Sequence, residues 1–233
     1  MRFVDEYRAP EQVMKLIARL KQRAALLDYT AARPLRIMEV CGGHTHAIFK
    51  FGLDQLLPEN IEFIHGPGCP VCVLPMGRID TCNEIAARPE VIFCTFGDAM
   101  RVPGRSGSLM QAKARGADVR IVYSPMDALK LAQQNPDRKV VFFGLGFETT
   151  MPATAITLQQ AKRLAVENFF FFCQHITLIP TLKSLLEQPD NAIDAFLAPG
   201  HVSMVIGTEA YTFISDDYQR PLVVAGFEPL DLL

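Results

Sequence analysis

Leu35-Arg-Ile-Met-Glu-Val-Cys-Gly-Gly-His-Thr-His46 reads as a strand, Leu35 to Val40, that runs into a glycine turn and the start of a helix. Seven further strand candidates follow it: Ile61 to His65, Val91 to Phe96, Val119 to Tyr123, Lys139 to Phe143, Asn168 to Cys173, Ile193 to Ala198 and Leu222 to Ala225. Most are continuously hydrophobic rather than alternating, as a parallel strand covered by helices on both faces requires. Helical patterns separate them. A leading amphipathic helix is expected from about Pro10 to Leu27, with Val13, Leu16, Ile17 and Leu20 on one face. The βαβα order predicts an α/β fold, two tandem doubly wound parallel-sheet domains of Rossmann-like build, preceded by an N-terminal helix.

The spacing repeats. Strands centred near 37, 63, 92 and 121 are matched near 141, 170, 195 and 223, an offset of about 104 residues. Ser124-Pro-Met-Asp-Ala-Leu129 and Glu228-Pro-Leu-Asp-Leu-Leu233 fall in the same register, pairing Pro125 with Pro229 and Asp127 with Asp231. An internal duplication is therefore expected, with a helical segment at 1–29, a first α/β domain at 30–137 carrying the thiol motifs, and a second at 138–233. A helix opening at Pro229 has little room before Leu233, which points to a fragment cut within a helix.

Composition narrows the function. With 233 residues, 49% hydrophobic and 21% charged, the chain has the makings of a sizeable core. A net charge of -2 and no Lys/Arg cluster interleaved with aromatics argue against nucleic acid. No apolar run approaches the roughly 20 residues that span a bilayer, and the first residues lack a signal-peptide core, so no membrane and a cytoplasmic location are expected. The six cysteines are expected to be reduced thiols.

Ligands of open parallel sheets collect beyond the carboxyl ends of the strands, and the informative residues occupy those positions. Cys41 and His44, three apart around Gly42 and Gly43, could present a thiolate and an imidazole to one soft metal ion, the glycines allowing close backbone approach. Two ligands leave most of the shell open, which suits transient loading. His46 is a weaker third candidate. Cys69 and Cys72, in Gly66-Pro-Gly-Cys-Pro-Val-Cys72, have the spacing of a redox pair. If the two copies face each other, thiols line one wall of a cleft, and Glu148, His201 and Glu228 the other. His65 and His175 end strands and could act from behind the ligands. Cys82, Cys94 and Cys173 lie in apolar elements and read as core residues.

Together with Gly146-Phe-Glu-Thr-Thr150 and Pro199-Gly-His-Val-Ser203, these motifs strongly resemble the HypD family of hydrogenase maturation proteins, along the whole chain. The resemblance implies a scaffold on which the iron centre of nickel-iron hydrogenases acquires cyanide and carbon monoxide ligands. It further implies a HypC-type chaperone whose amino-terminal cysteine completes the iron shell begun by Cys41 and His44, and a HypE-type cyanide donor. Cys69 and Cys72 would be the family's redox pair, and Glu148, Thr149 and Thr150 part of a motif in its central cleft. The family's carboxy-terminal region, which holds a four-iron, four-sulfur cluster, has no counterpart in this sequence, so the cluster is expected to be absent. Two readings from the residues alone stay open beside this one: a metal-free thiol-disulfide oxidoreductase using Cys69 and Cys72, and a structural zinc protein using Cys41, His44, Cys69 and Cys72.

Overall fold

The computed structural model describes residues 4–233. All eight expected strands form: β1 (Leu35–Glu39), β2 (Ile61–His65), β3 (Val91–Thr95), β4 (Val119–Ile121), β5 (Lys139–Gly146), β6 (Phe169–His175), β7 (Ala195–Pro199) and β8 (Leu222–Ala225). Every pairing between them is parallel. The helices are α1 (Pro10–Ala24), α2 (Gly42–Phe51), α3 (Leu53–Leu56), α4 (Met76–Ala86), α5 (Leu109–Ala114), α6 (Pro125–Gln134), α7 (Met151–Arg163), α8 (Leu178–Leu186), α9 (Gly200–Ile206), α10 (Thr212–Asp216) and α11 (Pro229–Leu232).

The chain forms two compact units. One comprises the chain up to Cys69 and from Leu178 onward; the other runs from Pro70 to Thr177. The first holds a four-stranded sheet ordered β2-β1-β7-β8. Met38, Phe196 and Ala198 on one face bury against Leu178, Leu182 and Leu186 of α8 and Ile214 of α10. Leu197, Ile37 and Phe63 on the other face pack with Ile48 of α2 and Leu232 of α11.

The second unit's sheet is ordered β4-β3-β5-β6. Phe93 and Phe143 pack under α4 and α5, while their neighbours Ile92 and Phe142 pack on the opposite face against Ala128 and Ala132 of α6. Because successive strand residues go to opposite faces, both must be apolar, which is why these strands read as unbroken hydrophobic runs. Each fully buried phenylalanine contributes about 2–3 kcal/mol.

The duplication survives in an exchanged form. If β1, β2, β3 and β4 are matched with β5, β6, β7 and β8, the order β2-β1-β7-β8 becomes β6-β5-β3-β4, which is the second sheet read from its other edge. Each sheet thus joins the first two strands of one copy to the last two of the other. The matched helix starts agree: α6 and α11 both open with proline and both carry a reciprocal capping box, Ser124 with Asp127 and Glu228 with Asp231.

The boundaries expected at 29/30 and 137/138 are not those of the compact units. Periodicity reports that a strand is buried on both faces, whereas the choice of neighbour rests on side-chain fit across the sheet. β1 takes β7, 158 positions along the chain at the Ile37–Ala195 pair, rather than β3.

Candidate functional site

In the first unit the chemistry gathers where β1 meets α2. Cys41 is the N-cap residue of α2, with an extended backbone, and its carbonyl accepts the N–H groups of His44 at 2.8 Å and Thr45 at 3.1 Å. Burial pushes the Cys41 thiol up, an effect opposed by the Gly43 and His44 N–H groups at the helix start and reinforced by Glu39 and Cys69. The thiol is therefore held protonated, and a soft cation could bind it only by displacing that proton.

His44 is 0% exposed. Neither ring nitrogen reaches hydrogen-bond geometry with a described residue, although backbone at Ala225 and Gly226 borders the ring. Burial holds the imidazole pKa below its ordinary value, and the ring is neutral at pH 7. A neutral imidazole keeps one lone-pair nitrogen, and leaving it unpartnered in the interior costs about 1–3 kcal/mol. Phe227 lies between the two imidazoles, its ring centroid 5.0 Å from that of His44 and 5.3 Å from that of His201. A β-carbon at Gly43 would meet the Phe227 ring at 2.6 Å and lie 3.5 Å from the Cys41 sulfur, so any side chain here would have to displace that ring.

Beneath Cys41, the Glu39 carboxylate is wholly buried at the end of β1. Its Oε2 accepts the Cys41 N–H at 2.9 Å, and its Oε1 accepts the Thr45 hydroxyl and lies 2.8 Å from His65 Nδ1. Three groups from two strand ends and one helix thus converge on one carboxylate, which orients the turn carrying Cys41. The loop after β2 closes over it: Gly42 N–H donates to the Gly68 carbonyl at 3.0 Å, and Cys69 Cβ is 3.4 Å from where a β-carbon at Gly42 would stand.

A protein-family model described as "HypD: Hydrogenase formation hypA family" matches residues 11–233. The chain belongs to the HypD family. It is 86% identical over 233 residues to "Hydrogenase maturation factor HypD" of Escherichia coli (strain K12) and 61% identical to the protein of that name in Rhodobacter capsulatus, covering all of this chain and 62% of each relative. Against "Hydrogenase maturation factor HypD" of Cupriavidus necator it is 47% identical over 240 residues, again covering 62% of that protein. The chain thus spans about 62% of the length of the curated relatives it matches.

The HypD motifs divide between the units. Cys41, Gly42, Gly43, His44, Cys69, His201 and Glu228 fall in the first, and Cys72, Glu148, Thr149 and Thr150 in the second. This corrects the expected grouping of His201 and Glu228 with Glu148 on a wall opposite the thiols: β7 and β8 join β1 in one sheet, which carries both residues into the unit of Cys41. Glu228 forms a two-pronged ion pair with Arg8, which holds its carboxyl below the usual range, and it also caps α11. His201 stands exposed at the start of α9. His46 is on the exposed side of α2. Among the described residues, no three His, Cys, Asp or Glu side chains are grouped as a metal cluster.

In the second unit of this HypD chain, Glu148 is buried, Thr149 is exposed and Thr150 is the N-cap residue of α7. Cys82 and Cys94 are fully buried, and burial pushes each thiol up to about 12, in keeping with a core role. Cys173 departs from the expectation. It is exposed, because β6 is an edge strand of its sheet. Glu39, Thr45 and Phe227 were not singled out from sequence. The one available signal was an acid inside an apolar strand, Ile37-Met-Glu-Val40.

Buried His44 and half-buried His175 set a pH dependence. Burial lowers the pKa of His44 and His175 below 6.5, so the unfolded chain binds their protons first as pH falls. Their contribution is complete above about 6.5 and is lost as pH falls through the folded values. The urea midpoint of the metal-free chain is expected to drop between pH 7.5 and 5.5, and His175→Gln to lessen that drop. An unchanged midpoint over this range would contradict the assignment.

Proposed function

We propose that this chain is the iron-handling part of a hydrogenase maturation scaffold, on which a cargo iron acquires cyanide and carbon monoxide before transfer to a nickel-iron hydrogenase. The observation that carries the reading is His44: a buried neutral imidazole approached only by the Ala225 and Gly226 backbone, neither nitrogen in good hydrogen-bond geometry with a described residue, one helical turn from a protonated, buried thiol. Thiolate and imidazole together suit a soft transition metal, and two ligands leave positions open for exogenous diatomic ligands. The shell is completed by the amino-terminal cysteine of a HypC-type chaperone, and cyanide arrives from a HypE-type donor.

Cys69 and Cys72 serve as the thiol pair that supplies or stores two electrons, Gly42, Gly43, His201 and Glu228 belong to the surroundings of the bound ligands in the first unit, and Glu148, Thr149 and Thr150 form a polar motif of the second unit. A four-iron, four-sulfur cluster would serve longer family members as an electron source. The protein works in the cytoplasm. No helix of the described residues is long and apolar enough to cross a membrane.

The test is the infrared spectrum of the chain isolated with its chaperone partner, read for cyanide and carbon monoxide stretching bands. Cys41→Ala and His44→Ala are expected to abolish or shift them. Bands that persist unchanged in Cys41→Ala would overturn the proposal. Metal-free turnover of disulfides at Cys69 and Cys72 would instead favour the oxidoreductase reading, to which the exposed Cys72 thiol lends support.

A further inference from the structure

Cys173, His175 and Thr150 make a second thiol-imidazole set, wholly within the second unit and separate in the chain from every residue offered as an iron ligand. Residues two apart on a strand share a face, so β6 presents Cys173 and His175 together. The Cys173 sulfur lies 3.8 Å from His175 Nδ1, within reach of a thiol hydrogen bond, and His175 Nε2 lies 3.0 Å from Thr150 Oγ1. Thr150 Oγ1 is also 3.1 Å from the Phe147 carbonyl, which can only accept. The hydroxyl proton goes there, so Thr150 accepts from Nε2–H, and the lone pair of the neutral ring is left on Nδ1, facing the thiol.

The surroundings keep the ring in that attitude. Gly144 is paired with Cys173 across the sheet, and a β-carbon on it would strike the Phe171 ring and come within 3.1 Å of His175 Cε1. Phe171 packs against the imidazole at 5.7 Å between centroids. The result is a nucleophile, a base and a group that orients the base, on an exposed cysteine.

We propose that Cys173 is a nucleophilic thiol site for low-molecular-weight disulfides, with His175 as its proton acceptor and Thr150 as the positioning residue. His175 Nδ1 takes the thiol proton, and the sulfur forms a bond to one sulfur of the disulfide. The disulfide bond breaks, and the departing thiolate recovers the proton from His175. One protein thiol and one disulfide become one mixed disulfide and one free thiol, with no external oxidant.

Glutathione disulfide at pH 7 is the probe, and the readout is the mixed disulfide on each cysteine-containing peptide by mass spectrometry. An ordinary thiol of pKa about 8.5 is only a few per cent ionised at pH 7, so full activation gains about thirtyfold. Cys173 in the folded chain is expected to react about tenfold faster than the same cysteine in urea. His175→Gln should abolish that advantage, Thr150→Val should reduce it, and Thr150→Ser should retain it. A folded Cys173 no faster than the unfolded one, or a His175→Gln chain as fast as the parent, overturns the proposal. The folded-against-unfolded comparison needs no variant, and none of these readouts depends on iron.

Discussion

Replacing Gly68 with alanine is expected to destabilise the chain by about 3 kcal/mol and, on the proposed function, to weaken the cyanide and carbon monoxide bands expected of the partner complex as strongly as Cys41→Ala should. A β-carbon at Gly68 would overlap the backbone of Val40 and Cys41, atoms that belong to the sheet end itself and cannot swing aside as a side-chain tip can. Either the loop after β2 lifts, breaking the Gly42–Gly68 hydrogen bond, or Cys41 moves away from His44. Urea unfolding reads the first consequence, and the infrared spectrum of the partner complex reads the second. A Gly68→Ala protein with parental stability and unchanged bands would show that this close approach does not organise the site.

The second large effect is expected at Glu39. Glu39→Ala removes the shared acceptor of the Cys41 N–H, the Thr45 hydroxyl and His65, and the Cys41 N–H is left buried without a replacement. At about 1–3 kcal/mol per stranded buried group, offset by water reaching the half-exposed His65, the loss should be about 3 kcal/mol. Glu39→Gln keeps the shape and one carbonyl acceptor but turns a donor toward a donor, and should cost about half as much. Thermal unfolding of the two variants checks the order. Equal stability of Glu39→Ala and the parent would mean that the carboxylate does not hold the turn.

Legibility differed sharply among the site residues. Cys41, His44 and Cys69 could be picked out because thiols and imidazoles cluster around glycines at strand ends, where parallel sheets bind ligands. Glu39 could not, because a carboxylate within a strand is ordinarily a solvated residue, and only the approach of β2 and α2 turns it into a buried acceptor. Cys173 misled for a related reason: Phe169-Phe-Phe-Phe-Cys173 looks like a core strand, yet β6 lies at the edge and leaves Phe170 and Cys173 open. Glu228 was legible as an acid at a mirrored strand end, but not as the partner of Arg8, 220 positions earlier.

Local sequence by itself determined the eight strands, the helix starts at Pro10, Pro125 and Pro229, the duplication and the parallel α/β class, because burial on both faces and proline or capping geometry act over a few neighbouring residues. Which strands share a sheet was decided only in three dimensions. β1 and β2 could have joined β3 and β4, which have the same apolar character, but packing across the sheet gave them β7 and β8 instead. That choice brought Phe227 and His201 to His44, and β2 packing on β1 gave Glu39 its partner His65. Contacts between residues so distant along the chain depend on which surfaces fit, and a one-dimensional pattern does not carry that information.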